Sequence, residues 1–144
     1  MNQKATMAKA AEIIAAATGN RGYCTLAQLD GDGYPTAATI SVSKAQGIEW
    51  IAFCSGLGSN WAKRAGQDAR ASVCFNSSDP LYNITLVGDV EVLTDPAVKQ
   101  EMWYEGMGWY FSGPEDPNFC VLRFNTRRYS LLLNEKEGNL RGSL

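Results

Sequence analysis

The stretch from Ile48 to Phe75 constrains the fold more than any other, because its pattern changes from strand to helix and back again. It opens with IEWIAFCS, an apolar run rich in β-branched and aromatic residues, which predicts a strand. GLGS follows, and Ser59 stands where the N-cap of a helix from Asn60 to Gln67 is expected. Ala71 to Phe75 then returns to a strand pattern. The chain therefore has to accommodate a strand–loop–helix–strand unit.

The loop and helix start within this unit form a candidate anion site. A glycine-containing loop that leads into a capped helix leaves backbone N–H groups unpaired at one point, and the helix dipole favours negative charge there. Lys63 and Arg64 lie inside the same helix and add positive charge. The pattern is consistent with a phosphate site. It is equally the pattern of an ordinary capped connection whose two cations are simply solvated.

The segments before this unit predict one helix and a hairpin. Apolar residues recur at helical spacing from about residue 4 to 18, and Gly19 and Asn20 end that helix. Pro35 indicates an edge or strand-start position, because proline cannot donate to a sheet. The remaining elements are expected as a strand at Tyr23 to Leu29, a tight DGDG turn at 30–33, a strand at Tyr34 to Val42 and a turn at 44–47.

The segments after the unit predict a long strand, a short helix and a final hairpin. Gly88, in the middle of the strand Tyr82 to Leu93, suggests a bulge or bend. Asp95 and Pro96 begin a helix that is expected to run to about Glu105. The other expected elements are loops at 76–80 and 112–118, a hairpin of Phe119 to Phe124 with Arg128 to Leu133, and a polar, loosely held tail from about Asn134.

This order of elements predicts a mainly β fold. Six or seven strands joined by short connections are best satisfied by an antiparallel sheet that closes into a small barrel, with helices at its edges. A doubly wound α/β fold is disfavoured, since the strands do not alternate with helices. A length of 144 residues, without a linker or an internal repeat, predicts a single domain over residues 1–144.

Composition excludes several classes of function. A net charge of −2, from 13 basic and 15 acidic residues, argues against nucleic acid as a partner. The absence of histidine excludes His-based triads and the zinc sites that need His, so any chemistry is expected to belong to a cofactor. The four cysteines lie in apolar runs without a C-x-x-C pair, which predicts free thiols. No run is long enough to span a membrane and no secretory signal is present, so we expect a cytoplasmic protein.

With these elements in order, four segments resemble the FMN-binding split barrel superfamily, the pyridoxamine 5′-phosphate oxidase-like proteins. The likeness is greatest to small bacterial members of the general-stress-protein type and covers roughly residues 10 to 133. The segments are TLAQLDGDGYPTAATIS, FCSGLGSNWAKRAGQDARASVCF, YNITLVGDVEVLTD and GPEDPNFCVLRF. The most specific feature is the spacing from Ser59 to Arg70, which resembles the family's Ser-x-Lys helix and the Asn-Pro-Arg strand start that follows it. The resemblance implies an antiparallel split barrel.

The resemblance also implies that FMN lies between two protomers of a homodimer. In the family, the phosphate meets the Ser–Lys helix start, the ring lies along the second and third strands, and the partner adds a polar side chain. Ser55 takes the place of the family's threonine, Ser59 that of its phosphate-binding serine, and Asn83 falls where a glutamine often comes from the other subunit. The positions so implied at the cofactor are Thr39, Ile40, Ser41, Cys54, Ser55, Gly58, Ser59, Asn60, Trp61, Lys63, Arg64 and Asn83.

Two positions depart from the family pattern at the phosphate. The family lysine falls at Trp61 and the family arginine at Ala38, so both of the usual neutralising charges are missing. Lys63 and Arg64 could supply charge from the same helix, and Trp61 could stack on a ring. The alternatives are a weak affinity for flavin, or a site that takes a different ligand.

Three classes of function stay open at this point. They are a flavin-dependent oxidoreductase with an unassigned substrate, a non-catalytic module that holds a flavin or another planar cofactor, and a dimeric barrel that has lost its ligand. A true pyridoxamine 5′-phosphate oxidase is not expected, because Arg127 and Arg128 cannot complete the family's Arg–His–Arg pattern without a histidine. The aromatic cluster between residues 103 and 111 could cover a planar ligand, or pack in the core or a dimer interface.

Overall fold

The computed structural model describes residues 2–133 and 139–144. Three α-helices, one turn of 3₁₀-helix and eight strands lie within them. In chain order the elements are α1 (Gln3–Ala16), β1 (Tyr23–Leu29), β2 (Pro35–Ser41), β3 (Lys44–Gln46), β4 (Trp50–Gly56), α2 (Asn60–Gln67), β5 (Arg70–Ser78), β6 (Leu81–Leu93), α3 (Pro96–Met102), the 3₁₀ turn (Met107–Trp109), β7 (Phe119–Leu132) and β8 (Asn139–Ser143).

All the described strands belong to one antiparallel sheet that curls without closing, as in a split barrel. The strand order is β2-β1-β5-β6-β7-β4-β3, with β8 paired to β7 beside this path. The first half of β7 pairs with β4, and its second half pairs with β8. The predicted mainly β, antiparallel split barrel is confirmed, but with eight strands in place of six or seven. Within the described residues, no helix has the length and apolarity needed to cross a membrane.

Alternation along the strands sorts the apolar side chains into two layers. The inner core includes Leu26, Val73, Leu86 and Phe124, which are fully buried, and α1 and α2 also pack onto it. A smaller outer cluster lies on the opposite face of β4 and β7, where α3 covers it. Its fully buried members are Ala52, Phe119 and Val121. Neighbouring residues of β4 therefore face different surroundings, which matters for the site described below.

Strands β6 and β7 approach each other closely at Gly88. The pairing register shifts between Val87 and Gly88, so that Val87 faces Arg128 while Gly88 faces Thr126. A Cβ atom at Gly88 would lie 2.0 Å from the carbonyl oxygen of Asn125. Only glycine fits there, and the bulge predicted at this position is confirmed. The first strand residue Pro35 also lies at the sheet edge, as predicted, because β2 ends the strand order.

Several predicted boundaries were wrong, and in each case pairing with a distant strand explains the difference. Phe119–Leu132 is one continuous strand rather than a hairpin, because β6 pairs with residues 121–132 and the register shift leaves Arg127 without a pairing partner on β6. Lys44–Gln46 is a short strand on β4 rather than part of a turn. Strand β5 runs on to Ser78 against β6, which shortens the loop expected at 76–80 to Asp79 and Pro80.

The helix and tail boundaries also differ from the sequence-based expectations. Helix α3 begins at Pro96 with Asp95 as its N-cap, as predicted, but ends at Met102 rather than near Glu105. The tail that was expected to be loosely held contributes β8, which pairs with Arg128 to Leu132. The rest of that prediction, residues 134–138, lies outside the described residues.

The four cysteines are free thiols in the structure, in agreement with the sequence-based prediction. Cys24 and Cys120 face the inner core, whereas Cys54 faces the outer cluster and Cys74 is partly exposed. Burial raises the pKa of Cys24 and Cys54 to about 12 and that of Cys120 to about 11. These three groups are therefore neutral thiols at physiological pH, and poor nucleophiles. The described residues contain no cluster of three metal-ligating side chains.

We expect Gly88→Ala to lower the free energy of unfolding by about 2 kcal/mol or more, since the added methyl group meets backbone that cannot move aside. Chemical denaturation of the wild type and the variant measures this difference in unfolding free energy. Gly66→Ala is the matched control, because a Cβ at Gly66 meets nothing within 4 Å and the change lies inside α2. It should leave stability unchanged or raise it by about 0.5–1 kcal/mol. Equal effects of the two substitutions would contradict the close approach.

Thiol titration at pH 8 should find Cys24, Cys54 and Cys120 unreactive in the folded protein, because alkylation and disulfide exchange need the thiolate. In denaturant without reductant, all four cysteines should react. Peptide mapping after alkylation identifies which thiol reacted first. If reduction were needed to reach the full count, the cysteines would not be free in the protein.

Candidate functional site

The junction between β4 and α2 forms the helix start that the sequence predicts. The N–H of Ala62 donates to Ser59 Oγ at 3.1 Å, and the N–H of Lys63 donates to the Ser59 carbonyl at 3.1 Å. Ser59 has the extended backbone typical of an N-cap. Among the described residues, the N–H groups of Asn60 and Trp61 have no hydrogen-bond partner, so they are free to donate to a ligand.

A pair of hydroxyl groups lies at this helix start. Ser55, the second-last residue of β4, is buried and faces the inner side of the sheet. Its Oγ lies 2.8 Å from Ser59 Oγ, and either hydroxyl can be the donor. The Ser59 N–H also donates to the carbonyl of Gly56 at 3.0 Å. These bonds hold the cap serine in place and set two hydroxyl groups beside the free N–H groups.

Gln28 supports the first turn of α2 from β1. Its side chain is only 2% exposed, and Nε2 donates to the carbonyl of Trp61 at 3.0 Å. Its Oε1 is buried and has no partner among the described residues. The Trp61 ring itself is partly buried against the inner core, as expected for a packing residue. Sequence reasoning missed Gln28, although one glutamine in the apolar strand YCTLAQL was a signal.

The two cations of α2 have different surroundings. Lys63 is exposed, and neither Lys63 nor Arg64 forms an ion pair or side-chain hydrogen bond within the described residues. A hydrogen bond from the Tyr34 N–H lowers the pKa of the Asp30 carboxyl below its usual value, and Arg64 makes the smallest contribution in the same direction. Arg64 is partly buried, whereas Lys63 is exposed to solvent.

The inner face of β2 is open at the position of the missing family arginine. Ala38 pairs with fully buried Leu26 of β1 and shares its face of the sheet, yet Ala38 is exposed. The opening follows from the unclosed sheet, because β2 is an edge strand. A small uncharged side chain here leaves space without supplying a charge.

A second group of predicted residues meets on the outer face. Ser41 lies on this face of β2, and the Cys54 thiol of β4 donates to the Met102 carbonyl at 3.2 Å. Tyr104 lies beside both residues. Burial raises the pKa of the Tyr104 phenol above its usual value, and the nearby Cys54 adds to the increase. Tyr104 is thus a neutral phenol close to Cys54.

The aromatic cluster predicted between 103 and 111 divides between core and surface. Trp103 and Phe111 pack on Phe119 with ring centroids 5.1 and 5.2 Å apart, so they belong to the outer cluster. Trp109 and Tyr110 are instead 89% and 75% exposed. The sequence correctly indicated an aromatic surplus but could not assign these roles, which depend on where β7 returns.

The structure separates the predicted site residues into groups. Ser55, Gly58, Ser59, Asn60 and Trp61 lie together at the helix start, with Lys63 and Arg64 on the same helix. Ile40 is buried in the inner core, while Thr39 and Ser41 lie on the opposite face of β2.

Asn83 lies apart from the helix start. It is exposed on the outer face of β6, where its Oδ1 accepts from Thr85 Oγ1 at 2.9 Å. The neighbouring Ile84 faces the inner core, so Asn83 and the Ser55–Ser59 pair are on opposite sides of the sheet. Within one chain these residues cannot contact the same ligand group.

This arrangement suits binding better than side-chain chemistry. The helix start offers two free backbone N–H groups, two hydroxyl groups and nearby positive charge, which together favour an oxyanion such as a phosphate. The chain has no histidine, and three of its thiols are held neutral by burial. No nucleophile with an adjacent base is found in the described residues.

Comparison with solved structures shows the same fold in several proteins. A Clostridium acetobutylicum protein related to general stress protein 26 matches with a TM-score of 0.83 and 17% identity over 99% of this chain and 97% of its own. An FMN-binding protein from Nostoc punctiforme matches with a TM-score of 0.67 and 19% identity, over 96% of this chain and 86% of its own. A heme-binding protein from Mycobacterium smegmatis matches with a TM-score of 0.70 and 21% identity, over 95% of this chain and 57% of its own. At these identities the likeness shows the fold alone.

Sequence comparison with curated proteins gave no match. The family model for pyridoxamine 5′-phosphate oxidase, by contrast, matches residues 9–132, which is most of the chain. That range includes the capped helix start, the bulged strand at Gly88 and the whole of β7. This chain belongs to the pyridoxamine 5′-phosphate oxidase family.

Proposed function

We propose that this protein binds FMN with its phosphate at the start of α2 and acts as an FMN-dependent oxidoreductase. The observation that carries the proposal is the helix start itself, where the free N–H groups of Asn60 and Trp61 lie beside the paired hydroxyls of Ser55 and Ser59. A terminal phosphate is the part of FMN that such a site favours. Membership of the family and the fold shared with an FMN-binding protein support this choice of ligand.

The residues present fit the group through backbone and hydroxyl donors more than through charge. Ala38 and Trp61 stand where the family has its arginine and lysine, so the remaining charge comes from Lys63 and Arg64. Helix side chains lean towards the N-terminus, which brings both cations back towards the first turn. Lys63 is the more available of the two, because it is exposed whereas Arg64 is partly buried.

FMN, when bound, supplies the electron transfer that the side chains of this chain cannot perform. The role of the protein is then to bind, orient and shield the cofactor. Ser41 and Cys54 border the outer sides of β2 and β4, and neutral Tyr104 can donate a hydrogen bond there without carrying charge. The protonated Cys54 thiol is held on the Met102 carbonyl and takes no part as a nucleophile.

A non-catalytic flavin-binding module is the second candidate. The missing lysine and arginine favour it, because a site that holds phosphate mainly through backbone donors suits storage or sensing as well as turnover. Oxidation of NADH or NADPH with an artificial electron acceptor separates the two candidates. Flavin-dependent turnover supports the oxidoreductase, and bound flavin without turnover supports the module. A preparation that takes up no flavin contradicts both.

We also propose a homodimer in which the partner completes the cofactor site. Asn83 faces away from the helix start of its own chain, and this orientation leaves its side chain available for a polar contact with the cofactor of a second copy. Exposed Trp109 and Tyr110 provide aromatic surface of the kind enriched at protein interfaces. A two-fold arrangement would repeat the same contacts at both sites.

Replacing both Lys63 and Arg64 by alanine should weaken FMN by at least about tenfold and leave riboflavin almost unchanged, because a charge-assisted hydrogen bond contributes about 1.5–3 kcal/mol. Fluorescence titration of both flavins measures this, and the single Lys63 variant should account for more of the loss. The control replaces Lys4 and Lys9 of α1 by alanine. It changes the net charge by the same amount as the Lys63 and Arg64 double variant, but in a different helix. If FMN and riboflavin weaken together, or neither weakens, the helix start is structural.

Analytical ultracentrifugation should show a dimer at micromolar concentration. A stable interface of this kind should bury about 1,200 Å² of surface or more. In the dimer, Asn83→Ala should reduce flavin affinity although it leaves every residue at the helix start of α2 intact. Thr94→Ala, in the loop before α3, is a control that changes neither Asn83 nor the helix start of α2. A monomeric protein that binds flavin with full affinity would contradict the shared site.

A further inference from the structure

We infer that Lys99 is a positioning residue for the phosphate site, acting through the loop of residues 112–118 on the segment that precedes Ser59. The inference rests on the proposed function, because it concerns the same helix start. It explains a buried cation on the far side of β4, to which neither the sequence patterns nor the family resemblance assigns a role.

Lys99 is an unusual buried charge. It lies in α3 and is 8% exposed, and its Nζ donates to the carbonyl of Asp116 at 2.9 Å. The ammonium also lies 5.7 Å from the centre of the Phe119 ring. Within the described residues it forms no ion pair with a carboxylate. Burying a lysine costs free energy unless its hydrogen bonds are satisfied, so packing alone does not account for it.

Asp116 organises the loop that Lys99 holds. Its carboxylate accepts from the N–H groups of Ser112 and Asn118, each at 2.9 Å. These bonds lower the pKa of the Asp116 carboxyl below its usual value, and the bond from Ser112 has the largest effect. The charge of Lys99 makes the smallest contribution to the lowering. The Asp116 carbonyl also accepts from the Phe119 N–H at 3.0 Å. The loop is thus tied internally at both ends and anchored to α3 at its centre.

The anchored loop in turn holds the chain just before Ser59. The N–H of Leu57 donates to the Asn118 carbonyl at 2.8 Å, which extends the β4–β7 pairing by one more bond. The Asn118 side chain covers Gly56, where an added Cβ would lie 3.1 Å from its amide nitrogen. Gly56 then accepts from the Ser59 N–H at 3.0 Å.

Continuous contacts therefore run from a buried cation in α3 to the N-cap of α2. They fix where the free N–H groups of the first turn lie relative to the Ser55 hydroxyl. A phosphate held mainly by backbone donors depends on that placement, because hydrogen bonds weaken steeply with distance and angle. The flavin ring, which lacks this requirement, should be much less sensitive. Discrimination between FMN and riboflavin is therefore the property that Lys99 controls.

The test replaces Lys99 by methionine, which keeps the length and apolar contacts of the side chain and removes the charge and the donor. FMN affinity should fall about tenfold while riboflavin affinity stays close to wild type, since the loss is that of well-placed phosphate donors. Amide hydrogen exchange should show faster exchange at Leu57 and Ser59, with core strands β6 and β7 unchanged. Lys9→Met, on the exposed surface of α1, is the matched control.

Asp116→Asn is the second variant, chosen because its side chain is partly exposed and lies outside the buried core. It removes one of two accepted N–H bonds and should lower the ratio of FMN to riboflavin affinity in the same direction. An unchanged ratio in both variants, with or without faster exchange at Leu57, overturns the positioning role. Equal weakening of both flavins also overturns it, since that indicates general destabilisation. If wild type itself does not prefer FMN, the proposed function fails first.

Discussion

The pairing of β6 with β7 is the interaction on which the rest of the structure depends. These two long strands pair along their whole shared length, and Gly88 allows the backbones to approach where a side chain would collide. The register shift lies between the two halves of β7, of which the first pairs with β4 and the second with β8. β6 and β7 both contribute fully buried residues to the inner core, and β7 also pairs with β4, the strand that leads to α2.

The end of β4 shows how one strand serves two functions. Ser55 faces inward and bonds the cap of α2, while Cys54, its neighbour, faces outward and bonds the end of α3. Both bonds follow from the two-residue period of a strand, and together they join two helices on opposite sides of the sheet. The helix start is therefore held from within by Ser55 and from outside by the loop that Lys99 anchors.

The chemistry proposed for this chain depends on placement more than on charge. With alanine and tryptophan where the family has arginine and lysine, a phosphate at α2 would be recognised by fixed N–H groups and hydroxyls. Such a site places greater demands on the surrounding bonds than a salt bridge does, because a flexible lysine tolerates displacement and a backbone donor does not. Residues remote from the cap, such as Lys99 and Gln28, would then contribute to phosphate binding through the bonds that hold the first turn and the loop beside it.

Sequence alone determined the features that arise from local preference. The Ser59 cap, the helix from Asn60 to Gln67, the edge position of Pro35 and the bulge at Gly88 were all predictable, because each depends on the backbone conformation of a few neighbouring residues. The same local pattern indicated the candidate anion site at this helix start, and the family resemblance added the split form of the barrel and the expectation of FMN.

Tertiary structure alone decided the features that depend on distant partners. The continuity of β7 through polar residues near 126, the extra strand β3, and the pairing of the tail all arise from bonds to strands far away in sequence. The same is true of Gln28 beneath Trp61 and of Lys99 on Asp116. A buried polar side chain is stable only where a specific acceptor meets it, and no local pattern specifies which part of the chain will bring that acceptor.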